Sequence, residues 1–363
     1  MKQLSNLING SIKEKIFSAI AIEVTKNGNT IFSQYTGTTN FEDNKEKIED
    51  MTEQHIFDLA SLTKPLCTTM LCNVLLDKNM LSLNTSVADI FDQYALNFNK
   101  ALAPVTIASL LNHSSGLEAW TQLYNVVKNR GDAYMFVRSR MLDYKTGTKH
   151  VYSDLGYIML GEIIEILMEK RLDHLFELYI SEMTDLHNIK FIPKGADTDD
   201  DKFVCTGYSE IRNKHLFGEV NDENCFVLGG VAGHAGLFGT AKDVCALAEH
   251  IRTCVNGSAT KPIISKAAAV KMLEKSPVDP NWAYGWHYPT EGKSSAGQLI
   301  SQHSIGMTGF TGTSVWIDFD KNIVITILAN RTVSPDSARS GWEMDRFTEV
   351  RPKLHDAILG EIR

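Results

Sequence analysis

The sequence predicts an α/β protein of the α+β kind: an antiparallel sheet built from both ends of the chain and flanked by helices, with an inserted, mainly helical lobe. Three observations carry this expectation. Near the N-terminus, β-type runs at 17–25 and 30–35 flank Asn27-Gly28-Asn29, a turn rich in glycine and asparagine. Near the C-terminus the same pattern returns, with runs at 313–317 and 323–328 around a turn at 318–322. Between the two hairpins apolar residues recur at helical spacing, as in 68–77, 107–111, 157–170 and 172–186. Strand pairs at the ends therefore predict a discontinuous sheet lobe (1–65 and 225–363), and the middle predicts a helical lobe (66–224). The cleft between lobes is the expected active site. No internal repeat or low-complexity linker interrupts the pattern.

Composition narrows the function. With 363 residues, 43% hydrophobic and 22% charged, the chain is long enough to bury a large core. Its net charge of −8, from 36 basic and 44 acidic residues without a basic block, argues against nucleic acid as a partner. The N-terminal stretch is interrupted by polar residues, and nothing later reaches the apolar length of a membrane span. With Met1 as the natural start, the expectation is a cytoplasmic protein. Cys67, Cys72, Cys205, Cys225, Cys245 and Cys254 show no Cys-x-x-Cys spacing and read as reduced core thiols. The histidines include no zinc-type pair, so neither a metal nor another cofactor is expected. The sequence leaves the oligomeric state open.

Chemistry concentrates in Ser61-Leu62-Thr63-Lys64, which puts a hydroxyl nucleophile and an amine three residues apart, on one face of a helix. A serine attacks poorly until a neighbour takes its proton, and a lysine can do so when its pKa is lowered. Two further segments follow in order. Tyr152-Ser153-Asp154 leads into an apolar helical run and offers a second proton shuttle. Met307-Thr308-Gly309 precedes a strand, with glycines that let backbone approach backbone or substrate closely.

With these three motifs in this order, the chain resembles the serine β-lactamase and penicillin-binding-protein superfamily, and within it the class C β-lactamase-like branch of esterases, D-amino-acid peptidases and cell-wall-recycling amidases. Supporting stretches lie at 110–117, 229–238 and 328–331. The resemblance implies a β-lactamase/transpeptidase-like fold and a cofactor-free serine hydrolase. Its substrate would be a small molecule, an amide, ester or β-lactam, with a muropeptide or small peptide amide leading. A promiscuous esterase, a weak β-lactamase and a penicillin-binding-type sensor without turnover are the alternatives. Carried over by position, the resemblance makes Ser61 the acylated nucleophile, Lys64 and Tyr152 the proton-transfer groups, and the backbone N–H groups of Ser61 and Phe310 the oxyanion hole.

Two positions depart from the pattern. Asp154 stands where penicillin-recognising relatives commonly have Asn; it could hold Lys64 protonated, hold a substrate amine, or cap a helix. Met307 stands where relatives carry Lys or His, and a thioether cannot ion-pair a carboxylate. Thr308 and Gly309 are expected at the substrate, and His234 either lines the cleft there or is a structural histidine in a tight turn. His303, four residues before Met307 on the same side of a strand, is expected as a substitute cation. Arg331 is either a carboxylate anchor or an exposed loop arginine, and His113 braces a helix start.

Overall fold

In the computed structural model, residues 2–41, 48–335 and 346–362 are described. The strands among them are β1 (Ala19–Lys26), β2 (Asn29–Gly37), β3 (Phe57–Asp58), β4 (Ile189–Phe191), β5 (Tyr208–Ser209), β6 (Lys214–His215), β7 (Leu237–Gly239), β8 (Ser304–Thr308), β9 (Thr313–Asp318) and β10 (Ile323–Ala329). The α-helices are α1 (Lys2–Lys13), α2 (Met70–Asp77), α3 (Val87–Gln93), α4 (Ile107–Leu111), α5 (Arg130–Arg138), α6 (Asp154–Met168), α7 (Leu172–Phe176), α8 (Glu182–Thr184), α9 (Glu223–Val227), α10 (Ala241–Asn256), α11 (Lys266–Lys271) and α12 (Arg346–Glu361).

The main sheet runs β2-β1-β10-β9-β8, antiparallel throughout. Its two expected hairpins meet in the middle, where β1 pairs with β10 and Ile22 faces Ile327. Both central strands are buried along almost their whole length, Glu23, Thr25 and Thr326 included, while β2 is exposed to half-buried at the edge. Successive side chains of β1 go to opposite faces. Ile20, Ile22 and Val24 join α1 and α12 in one core, while Ala19 and Ala21 join the larger core that α10 and the helical lobe share. The sheet is thus covered on both sides.

A second, small sheet positions the site. In it β7 pairs with both β3 and β4, so the glycine-rich segment before β7 lies beside the Ser61 segment after β3. Gly233 makes that approach possible: a Cβ there would sit 2.0 Å from the Tyr157 carbonyl on α6.

Several helices differ from expectation. The run expected at 157–170 begins at Asp154, because Ser153 caps it by accepting from the Gly156 N–H at 3.1 Å. The run at 172–186 is divided into α7, one wide turn and α8. The N-terminal stretch forms α1, whose polar interruptions are the outer face of an amphipathic helix with Leu4 and Ile8 buried. All six cysteines are free and buried. No helix among the described residues is long and apolar enough to cross a membrane.

Candidate active site

Ser61 lies in the first turn of a helical run that is unbroken from Ala60 to the end of α2, but the run is not regular. Ser61 lies on a tight turn, Ala60–Leu62, and Lys64 opens a wide turn, Lys64–Thr69, that widens the backbone before α2. Ala60 has φ 46, a left-handed conformation that costs a residue with a Cβ about 1–2 kcal/mol. Asp58 holds that turn in place. Its Oδ1 accepts the Ala60 N–H at 2.8 Å and its Oδ2 accepts the Asn221 N–H at 2.6 Å. Burial raises this carboxyl to about 6, the main opposing influence being those two donors.

Lys64 is fully buried, and its Nζ meets three acceptors: Asp154 Oδ1 at 2.7 Å, Ser61 Oγ at 2.9 Å and the His234 carbonyl at 3.2 Å. Two of these are hydrogen bonds, to Ser61 and the His234 carbonyl, and the third is an ion pair with the Asp154 carboxylate, which favours the protonated form. Burial alone would lower the Lys64 pKa, but Asp154 and then Tyr152 outweigh it and the net displacement is upward. The Lys64 ammonium also lies 4.7 Å from the centre of the Tyr152 ring. Burial raises the Tyr152 pKa; Lys64 pulls it back, Asp154 pushes it up again, and hydrogen bonding to Lys64 and Ser61 lowers it without reversing the net rise.

Tyr152 is positioned by the start of α6. The Nδ1 of His113 accepts the Ser153 N–H at 3.0 Å, and the His113 ring lies 4.4 Å from that of Tyr152. His113 therefore braces a helix start, as expected, and burial followed by the nearby Lys64 charge keeps it neutral. The helix cap is Ser153, which frees Asp154 on the first turn to face Lys64.

The opposite wall is the end of β8 and the turn into β9. Met307 is buried in register with Val315 and lines the cleft with Thr308, Gly309 and Phe310. Gly309 is required: a Cβ would stand 2.1 Å from Thr313 Oγ1 and 2.6 Å from the Leu59 carbonyl. Thr311 and Thr313 fasten this turn to the nucleophile segment by donating to the carbonyls of Asp58 at 2.7 Å and Leu59 at 3.1 Å. Among the described residues the Phe310 N–H has no hydrogen-bond partner, which leaves it available to an incoming oxyanion.

Two expectations need correcting here. Arg331 is no exposed loop residue: it is buried, its Nε donates to the Phe310 carbonyl, and its guanidinium lies 4.5 Å from the centre of the Phe310 ring. It braces the Phe310 turn from behind. His303 does not reach the cleft. It lies outside the start of β8, exposed, with Nδ1 3.0 Å from Asp320. Four residues along a strand is about 13 Å, so sharing a side with Met307 did not mean sharing a site.

The structure brings Ser61, Tyr152, Asp154, His234, Met307, Thr308, Gly309 and Phe310 around one cleft of about 840 Å³. His234 belongs to its wall, with Nε2 3.0 Å from Asp222 Oδ1. Sequence reasoning missed Trp120, Tyr124, Trp282, His287 and the run Asn221 to Asn224, all of which line the same cleft. The one available signal was the uninterrupted polar run at 221–224 shortly before the glycine-rich segment. No lysine or arginine is among the residues lining the cleft, and burial lowers His287 to about 4, so it is neutral there.

The profile of the Beta-lactamase family matches residues 4–348. An N-acetylmuramyl-L-alanine amidase of Bacillus subtilis (strain 168) is 29% identical over 366 residues, covering 91% of this chain and 82% of the relative. A solved class C beta lactamase has a similar fold, with a TM-score of 0.74 at 16% identity over 98% of this chain and 97% of its own. So does a hydrolase with promiscuous acyltransferase activity, with a TM-score of 0.70 at 18% identity over 98% of both chains.

Proposed function

This chain belongs to the beta-lactamase family, and from that premise we propose that it is a serine hydrolase working through a covalent acyl-enzyme on an amide bond, with Ser61 as nucleophile. The observation that carries the reading is the Lys64 Nζ contact with Ser61 Oγ at 2.9 Å, at the floor of a cleft that Tyr152 and the unpartnered Phe310 N–H also reach.

In this mechanism the Ser61 Oγ–H proton passes to Tyr152 in its phenolate form, which burial keeps a minority of the resting enzyme, as Oγ bonds to the substrate carbonyl carbon, and the carbonyl electrons move onto an oxyanion held by the N–H groups of Ser61 and Phe310. Tyr152 then gives the proton to the leaving nitrogen, the carbon–nitrogen bond breaks, and an amine departs. Water repeats the sequence on the ester, giving a carboxylic acid and restoring Ser61. Lys64 acts as a fixed ammonium. It stabilises the Tyr152 phenolate and the charge developing at Ser61, and Asp154 keeps it charged.

For the substrate we infer a muramyl amide, in which the acyl group is carried on an amino sugar and the leaving amine is an alanine or alanyl peptide. The amidase relative supports this class. The absence of a cationic side chain among the cleft-lining residues argues against a carboxylate beside the reacting carbonyl, as penicillins have. The same apolar sheet wall favours neutral short-chain esters as a second class of substrate. A cytoplasmic location goes with recycled wall fragments as the source of substrate, and cell fractionation checks it.

The test is intact mass and turnover with an activated ester, a muramyl-alanine amide and a fluorescent penicillin. Ser61→Ala is expected to lose acylation and turnover by about a thousandfold or more, with an unchanged melting temperature. Wild-type-like hydrolysis by that variant would end the covalent mechanism, and an adduct that persists in the parent protein would make it a sensor.

A further inference from the structure

Asn221, Asp222 and Glu223 are consecutive, line the cleft, and have no part in the acyl-transfer chemistry. Each commits part of its polar group to the scaffold and leaves one oxygen over. Asn221 donates from Nδ2 to the Thr206 carbonyl at 2.7 Å. Asp222 uses Oδ1 to accept from the Cys225 N–H at 2.7 Å and to meet His234 Nε2 at 3.0 Å. Glu223 uses Oε1 for Ser209 Oγ at 2.5 Å and Arg212 Nη2 at 3.0 Å. Asn221 Oδ1, Asp222 Oδ2 and Glu223 Oε2 have no hydrogen-bond partner among the described residues, yet none is sealed from solvent. The wall therefore presents three fixed acceptors.

A fourth polar atom adds to this. His234 is 1% exposed, and its Nδ1 is buried without a partner at the same wall. A buried ring nitrogen left unpaired is costly unless a ligand or water completes it.

Beside these acceptors stands an aromatic ring. Trp120 is 47% exposed although it lines the cleft. Its loop is firmly held: Asp154 N–H donates to the Ala119 carbonyl at 2.9 Å, Ser153 Oγ to the Glu118 carbonyl at 2.6 Å and Asn224 Nδ2 to the Thr121 carbonyl at 2.8 Å. The loop that carries the indole is thus tied at one end to the Tyr152 segment and at the other to the acceptor wall.

The ligand chemistry follows from this pairing. Acceptors without donors call for a partner rich in hydroxyl groups or bearing an ammonium. The two carboxylates are already countered, Glu223 by Arg212, and Asp222 by His234 and Lys64, which hold it below its usual range against the upward push of burial. That leaves hydrogen-bond acceptance with little net field, which suits neutral hydroxyls better than a cation. A flat indole face suits the C–H face of a sugar ring. We propose that Asn221, Asp222 and Glu223, with the Trp120 indole and His234 Nδ1, form a carbohydrate subsite that holds the sugar on the acyl side of the scissile bond. This rests on the acyl-hydrolase reading above.

The experiment compares kcat/KM for N-acetylmuramyl-L-alanine with that for D-lactyl-L-alanine, which keeps the acyl carbon and leaving group but lacks the sugar, in the parent protein, Trp120→Ala and Asp222→Asn. Asparagine retains the cap on the Cys225 N–H, so Asp222→Asn replaces the free acceptor oxygen by an N–H donor without removing the helix cap. The parent is expected to favour the sugar substrate, and that preference is expected to fall about tenfold or more in each variant. Calorimetry of N-acetylmuramyl-L-alanine binding to Ser61→Ala, with and without Trp120→Ala, is expected to show the same loss without turnover. A preference unchanged by either variant, or absent in the parent, overturns the subsite. So does a parent preference for L-alanyl-L-alanine, with its free amine, that Asp222→Asn removes. Those results leave the acyl-enzyme standing if Ser61→Ala is inactive, whereas activity in Ser61→Ala overturns that reading instead.

Discussion

The two walls of the cleft hold their function in different parts of the chain. On the sheet wall, Met307 to Phe310 present an apolar surface and one backbone N–H, and Arg331, Thr311 and Thr313 secure that turn through main-chain carbonyls. On the helical wall the working groups are side chains: Tyr152 and Asp154 at the head of α6, facing Lys64. A wall that works through its backbone tolerates side-chain change, which explains how methionine and phenylalanine can stand in the third motif. A wall that works through coupled side chains does not.

The largest effect should come from breaking the helical wall. Lys64→Ala and Tyr152→Phe are each expected to lower kcat/KM for an activated ester by about 10²–10⁴, and the double variant to be barely worse than either, because groups serving one proton transfer are non-additive. Single losses that multiply would separate the two residues into different steps.

A smaller effect should come from the sheet wall, where Met307→Lys adds a function instead of removing one. A charge-assisted contact to a carboxylate is worth about 1.5–3 kcal/mol, so kcat/KM for a chromogenic cephalosporin is expected to rise roughly ten- to a hundredfold relative to a neutral nitrophenyl ester. Strong β-lactamase activity in the parent, lowered by this change, would show that the sheet wall already recognises the carboxylate.

The smallest effect sharpens the comparison through pH. Asp154 raises the pKa of Lys64 against the downward push of burial, and it raises that of Tyr152 in the same direction as burial. Removing its charge lowers both values. In Asp154→Asn the alkaline rise in kcat/KM is therefore expected to move to lower pH. An unmoved profile with a reduced kcat would leave Asp154 as packing only.

Legibility in the sequence follows the same division. The hairpins β1–β2 and β9–β10 could be read because strand patterning and turn residues lie within a few positions of each other. Ser61, Lys64 and Tyr152 could be named because their motifs stand in a recognisable order, and the fold puts Ser61 and Tyr152 on one cleft with Lys64 buried behind Ser61. Helices α1 and α12 could not, since their spaced apolar residues acquire meaning only against a sheet face already built from both chain ends. Nor could the free oxygens of Asn221, Asp222 and Glu223: what each keeps free depends on Thr206, His234 and Arg212, residues that sequence spacing does not link to it. Trp120 reads as a core residue until the loop holding it is seen. His303 failed because strand alternation reports side and says nothing of distance along the strand.

The left-handed Ala60 has a consequence for how this chain can change. Glycine would relieve the strain and, by that measure alone, make a sturdier fold. It would also loosen the one peptide whose orientation aims Ser61, between an Asp58 carboxylate on one side and the Gly309 turn on the other. On the proposed mechanism, heat resistance and turnover are thus expected to pull in opposite directions at a single methyl group. Among lineages, alanine or glycine at this position would record which of the two pressures had prevailed.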